Sequence, residues 1–154
     1  MIKNLVIRPA LEEDLPGVLA LYAQADMDQG RVLTVQQAQV IFNQFKTYPN
    51  YRLFIALDAG HTSSVIGTFA LLVMHNLAHQ GTPSAIVEDV VVSEIHQGQG
   101  IGRAMMAKAI ELARECHCYK LVLSSNHKRL QAHAFYRNLG FKEHGLSFHV
   151  DIHP

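Results

Sequence analysis

The chain has 154 residues, of which 49% are hydrophobic and 17% charged, enough for one domain with a sizeable core and no compositional sign of disorder. Thirteen Lys and Arg balance thirteen Asp and Glu, so no overall field draws the protein to nucleic acid or to an anionic membrane. The N-terminal stretch has no signal-like apolar region, and no apolar run reaches spanning length. Cys116 and Cys118, two positions apart, suit neither a disulfide framework nor a zinc site, so the expected setting is the cytoplasm.

In chain order, Leu5 to Arg8 predicts a first strand, stopped by Pro9. Asp14 is then expected to cap a helix with the apolar set Leu15, Val18, Leu19 and Tyr22, Pro16 falling in its first turn. Asp26 to Gly30 breaks that helix. Thr34 and Gln37 have the spacing of a capping box before a second apolar face of Val35, Ala38, Ile41, Phe42 and Phe45. Strands are predicted over Tyr51–Leu57 and Val65–Met74, joined by a hairpin at Asp58-Ala-Gly60, and over Ala85–Val92. A glycine-rich turn follows, then a helix over Arg103–Glu115, a short strand Leu121–Ser124, a helix Leu130–Leu139 stopped by Gly140, and a closing strand Leu146–Ile152. Hairpins mixed with βαβ crossovers predict an α/β fold with a mixed sheet. No repeat or linker interrupts residues 1–154, so a single domain is expected. The ten histidines are scattered. His75 and His79 stand at i, i+4 without further convergent ligands, so no metal is expected.

The segment Val90-Val91-Val92-Ser93-Glu94-Ile95-His96-Gln97-Gly98-Gln99-Gly100-Ile101-Gly102-Arg103 carries the chemistry. Glycines at the start of a helix let backbone N–H groups converge on an anion, where the helix end adds partial positive charge. A dinucleotide fingerprint beginning at Gly98 would need glycine where Arg103 stands, and the Gly-Lys-Ser/Thr of a P-loop is absent. The pattern that fits is Q/R-x-x-G-x-G/A, met by Gln97, Gly100 and Gly102. With Ile7-Arg8-Pro9-Ala10, the strand around Gly67, and the closing Ala132, Tyr136, Gly140 and Phe141 of A-x-x-x-Y-x-x-x-G-F, the chain resembles the GNAT superfamily of N-acetyltransferases.

That resemblance implies a single-domain GNAT fold with a mixed, mostly antiparallel sheet flanked by helices. It also implies acetyl-CoA as acyl donor, with no metal, and direct attack of a primary amine on the thioester in a ternary complex. The pyrophosphate is expected on Gln97, Gly98, Gln99, Gly100, Ile101, Gly102 and Arg103, and pantetheine beside the backbone of Val90, Val91 and Val92 like an added strand. Glu88, with Asp89 second, is the expected base. Because adjacent strand residues face opposite sides, only one of the two should face the substrate. Tyr136 takes the family's general-acid position; the alternative reading of this residue is a packed helix aromatic beside Phe135. Where many members have a cofactor-contacting Asn, this chain has Arg129, and Asn126, a turn earlier, is the expected substitute.

Ile86 to Val92, the glycine turn and Cys118-Tyr119-Lys120 are similar to glucosamine-6-phosphate N-acetyltransferases, although Ser124 and Ser125 stand where that family has Asp. The run from Ser124 to Tyr136 is similar to aminoalkylphosphonate N-acetyltransferases. Arg129 and His133 are spaced i, i+4 and are expected to meet an anionic group on a small amine acceptor, unless Arg129 serves the cofactor and His133 only packs. A peptide N-acetyltransferase and a non-catalytic acyl-CoA-binding module are the alternatives. The family's habit and the alternating Leu146, Phe148, Val150 and Ile152 predict a homodimer.

Overall fold

The computed structural model describes residue 2 and residues 4–25, 27–60 and 64–152. The chain divides into two compact units, residues 1–122 and 123–154. The first holds a five-stranded sheet in the order β1-β2-β3-β4-β5, formed by β1 (Leu5–Pro9), β2 (Tyr51–Asp58), β3 (Val65–Met74), β4 (Ser84–Val92) and β5 (Leu121–Val122). The first three pairings are antiparallel and the last is parallel, as the mixture of hairpins and crossover predicts. The hairpin turn after β2 starts with the Gly60 N–H donating to Asp58 Oδ1 at 3.0 Å, and residues 61–63 lie outside the described chain.

Helix α1 (Leu15–Gln24) and helix α2 (Val35–Phe45) cover one face of this sheet. Their apolar stripes join Leu53, Ile55, Leu57 and Ala70 in a core that Tyr22, Phe42, Phe45 and Tyr51 edge. Helix α3 (Ile101–Glu115) packs on β3 and β4. At Gly67 a β-carbon would meet Met105 Sδ at 2.6 Å and Ile101 Cγ2 at 3.3 Å, so glycine there sets how closely α3 lies on the strand. With helices on both faces, Leu53 to Leu57 and Ile66 to Leu71 are buried without interruption, the pattern of a doubly covered sheet. Phe54 and Phe69 stack within it at 5.0 Å.

The capping box forms as predicted: the Gln37 N–H donates to Thr34 Oγ1 at 3.2 Å, and the Thr34 N–H to Gln37 Oε1 at 2.9 Å. Asp14 departs from expectation. It makes no side-chain cap on α1 but closes the preceding 3₁₀ turn, accepting the Leu11 N–H at 2.6 Å and Arg8 Nη1 and Nη2 at 2.7 and 3.0 Å. Arg8 and the Leu11 N–H together hold this buried carboxylate in place of the expected cap. Asp26, part of the predicted break after α1, falls outside the described residues.

The second unit contains α4 (Leu130–Asn138) and no strand among its described residues. The predicted closing strand Leu146–Ile152 is therefore corrected. Leu146, Phe148, Val150 and Ile152 are 78–87% exposed, and a period-two pattern cannot become a strand until an edge receives it.

Candidate active site

In the first unit the carboxylates stand at a distortion in β4. Ala70 pairs with Glu88 and Thr68 with Val91, so Phe69 alone faces both Asp89 and Val90. The extra residue is a β-bulge, and Asp89 occupies it with φ 51°. Strict alternation ends there, and Glu88 and Asp89 are both exposed. Glu88 shares a side with its partner Ala70, which belongs to the core beneath α1 and α2. Burial and then the charge of Asp89 raise the Glu88 carboxyl above its ordinary range, and burial raises Asp89 as well.

Tyr22, expected on the apolar face of the first helix, and Tyr51, expected at the start of a strand, belong to this neighbourhood. Burial and then Asp89 push the Tyr22 phenol upward; Tyr51 is raised by burial, Asp89 and Glu88 in that order. Tyr51 packs on Phe45 with ring centroids 4.6 Å apart. No sequence signal joins these residues, because they lie on separate elements and the bulge at Asp89 leaves no mark in hydrophobic periodicity.

The parallel β4–β5 pairing consists of Ala85 with Leu121 and Ile86 with Val122. Among the described residues no strand pairs with β4 on that side beyond Ile86. After Val92 the chain turns through Gly98 and Gly100, at φ 76° and 86°, and Gly100 is the N-cap of α3. Nothing lies within 4 Å of a β-carbon built at either glycine. The turn is open above, its glycines are required by conformation, and the first amides of a 15-residue helix emerge from it. Gln97 Nε2 and Gln99 Nε2 reach back to the Val92 and Ile95 carbonyls at 3.4 Å each, which braces the loop from below. This arrangement fits a diphosphate bound by backbone N–H groups from Gln97 to Arg103.

In the second unit, Asn126 forms a turn before α4: its Oδ1 accepts the Lys128 N–H at 2.9 Å, and its carbonyl lies 3.0 Å from His133 Nε2. His133 is thus held to the backbone through one ring nitrogen, and Asn126 is engaged locally through both oxygens. Arg129 is the N-cap of α4 and exposed. At the other end, the Gly140 N–H donates to the Arg137 carbonyl at 3.0 Å and the Phe141 N–H to that of Tyr136 at 3.1 Å, with Gly140 at φ 90°. This is a Schellman stop, and it explains the spacing of Tyr136, Gly140 and Phe141 physically. Tyr136 lies in ring contact with Phe135 and Phe141. Burial raises its phenol and the charge of Arg129 opposes that rise.

The acetyltransferase (GNAT) family profile matches residues 18–141. The chain belongs to the GNAT acetyltransferase family. Among GNAT relatives it is 32% identical over 142 residues to the aminoalkylphosphonate N-acetyltransferase of Salmonella typhimurium strain LT2, covering 92% of this chain and 88% of that one. It is 32% identical over 91 residues to the glucosamine 6-phosphate N-acetyltransferase of Trypanosoma brucei brucei, covering 59% of this chain and 60% of the relative. A probable glucosamine 6-phosphate N-acetyltransferase from rice (Oryza sativa subsp. japonica) matches over 58% of its own length, so the chain spans about three fifths of these two glucosamine 6-phosphate N-acetyltransferases. The crystal structure of an acetyltransferase from Trypanosoma brucei superposes with a TM-score of 0.82 at 26% identity, over 97% of this chain and all of that one. Among the described residues no group of three or more His, Cys, Asp or Glu is placed to hold a metal ion, and no described helix is long and apolar enough to cross a membrane.

Proposed function

We propose that this acetyltransferase moves the acetyl group of acetyl-CoA onto the primary amine of a small acceptor that also carries an anionic group, by direct attack in a ternary complex. The observation that carries the donor assignment is the open glycine turn at the N-terminus of α3, beside an unpaired stretch of β4. The two features suit a diphosphate followed by an extended arm.

Glu88, directly or through water, takes the proton of the incoming ammonium, whose ordinary pKa is about 10. Its raised carboxyl suits that role, because a base closer to neutrality is the stronger acceptor. The amine nitrogen then attacks the thioester carbon. The oxygen gains charge opposite a backbone N–H near Val90, the carbon–sulfur bond breaks, and Tyr136 donates its proton to the departing thiolate. Much of the acceleration comes from holding donor and acceptor together.

Phosphate and phosphonate stand in the names of the relatives' substrates, which supports an anionic acceptor here. Arg129 is the proposed bidentate contact, with His133 contributing its remaining ring nitrogen. The exposed apolar alternation from Leu146 to Ile152 supports a homodimer, and the paired free thiols support a reducing, cytoplasmic setting. An acceptor screen reading free CoA thiol tests the whole reading. Turnover with aminoalkylphosphonates or amino sugar phosphates, and none with peptides, is expected. Preference for peptides would replace the acceptor assignment, and tight acetyl-CoA binding without turnover on any amine would leave a binding module.

A further inference from the structure

The register of the sheet places Tyr51 on the same face as Glu88. Leu72 pairs with Tyr51 on one side and with Ile86 on the other, and Ile86 pairs in turn with Val122. Residues directly opposite one another on neighbouring strands share a face, so these four side chains form one apolar row across β2, β3, β4 and β5. One step along, Leu53, Ala70 and Glu88 form the next row on that face. Cover differs between the two rows. Leu53 and Ala70 are buried in the core beneath α1 and α2, whereas Tyr51, Leu72, Ile86 and Val122 are only half-buried and Glu88 is exposed. Beside the proposed base there is thus an apolar shelf, partly open.

The shelf has one polar end. The Tyr51 ring is fixed, its centroid 4.6 Å from that of Phe45 and 6.2 Å from that of Tyr48, yet its hydroxyl has no hydrogen-bond partner among the described residues. β2 and β4 lie about 10 Å apart across β3, a span that the two side chains and one small acceptor fill. Burial and then the charges of Asp89 and Glu88 keep the Tyr51 phenol protonated. The same carboxylates repel a phosphate or phosphonate oxygen at this place. A neutral oxygen meets no such repulsion and accepts the phenolic hydrogen bond.

We propose that Tyr51 is a specificity residue for the acceptor, its hydroxyl donating to a neutral hydroxyl near the acceptor's amine while the acceptor's carbon frame lies along Leu72 and Ile86. The enzyme then selects hydroxylated amines over plain alkylamines of the same charge. This rests on the reading of Glu88 as the base, which fixes where the amine nitrogen lies. The acceptor's anionic group points away from the carboxylates, so the contact is separate from the one proposed for Arg129.

The test uses two pairs of acceptors that differ by one hydroxyl next to the amine-bearing carbon. One pair is 2-aminoethylphosphonate and its 1-hydroxy derivative, the other glucosamine 6-phosphate and its 3-deoxy analogue, each followed by release of free CoA thiol. With whichever pair is turned over, wild type is expected to favour the hydroxylated member roughly 3- to 10-fold in kcat/KM, the size of one neutral hydrogen bond, mostly through KM. Tyr51→Phe keeps the ring contacts with Phe45 and Tyr48 and should bring the two members within about twofold of each other. A wild-type ratio near one, or a ratio that Tyr51→Phe leaves in place, overturns the inference and leaves the row to packing. An equal loss on both members marks a structural role and overturns it too. Glu88→Gln with wild-type turnover overturns instead the base reading beneath it, and turnover of neither pair overturns the anionic-acceptor reading together with this inference.

Discussion

Phe141 donates its backbone N–H to the Tyr136 carbonyl at 3.1 Å and sets its ring 5.7 Å from the Tyr136 ring, at 69° to it. One residue thus closes the helix and immobilises the proposed acid. The contact between the third helical residue from the end and the second residue beyond it is the usual companion of a Schellman stop. The Tyr-x-x-x-Gly-Phe spacing is therefore accounted for by structure alone, and a catalytic role for the hydroxyl must be measured separately from it.

Tyr136→Phe makes that separation. The ring contacts with Phe135 and Phe141 survive, and only the hydroxyl is lost. Turnover is expected to fall roughly 10- to 1000-fold with acetyl-CoA affinity little changed. Stopped-flow turnover where chemistry limits would return Tyr136 to a packing role if the rate matched wild type.

Gly100→Val tests the cofactor turn. The space around Gly100 is open, so the penalty is conformational: at φ 86° a β-branched residue is strained, and its side chain would also stand where the diphosphate approaches. Acetyl-CoA binding should be lost by calorimetry while circular dichroism keeps the folded spectrum. Unchanged affinity would remove the diphosphate from this loop.

Asp89→Asn probes the carboxylate pair. Asn tolerates the left-handed conformation, so the bulge is kept and the charge removed. Asp89 raises Glu88, so without that charge Glu88 should titrate lower and the acidic limb of kcat/KM should move to lower pH. Measuring wild type and variant with one acceptor cancels the acceptor's own titration. A limb that stays in place would assign it to a group other than Glu88.

Asp14→Asn concerns stability. Burial raises the Asp14 carboxyl, but the hydrogen bonds from Arg8 and the Leu11 N–H outweigh it, so its folded pKa lies below the usual value. The contribution is then present above the unfolded pKa and lost as pH falls through the folded one. The variant should be less stable by about 1–3 kcal/mol at neutral pH, and the gap should close on acidification. Urea unfolding at neutral and acidic pH measures it, and a pH-independent gap would contradict the ion-pair account.

Truncation after His144 tests assembly. Light scattering of the full chain at micromolar concentration is expected to give twice the monomer mass of 17.2 kDa, and removal of Leu146 to Ile152 is expected to give the monomer. A monomeric full chain over that range would exclude the dimer.

The sequence by itself determined the elements whose cause is local. The Thr34–Gln37 capping box, the αL stop at Gly140 and the glycine turn before α3 are all set by residues within a few positions of one another, and the apolar periods of α1 and α3 show which side of each is buried, whereas Ile41 on the expected face of α2 is exposed. The order of hairpins and crossover carried the mixed sheet as well. Only the tertiary structure decided what depends on distant partners. Asp14 abandons the cap for Arg8, six residues back on β1. Asp89 turns left-handed because β4 must place two residues against Phe69, and that register is a property of two strands together. Tyr22 and Tyr51, far apart in sequence, come near the carboxylates only in the folded chain. The alternation from Leu146 to Ile152 states that a strand can form, but hydrogen bonds to a neighbouring edge are what make one, and no pattern within a single strand supplies its neighbour.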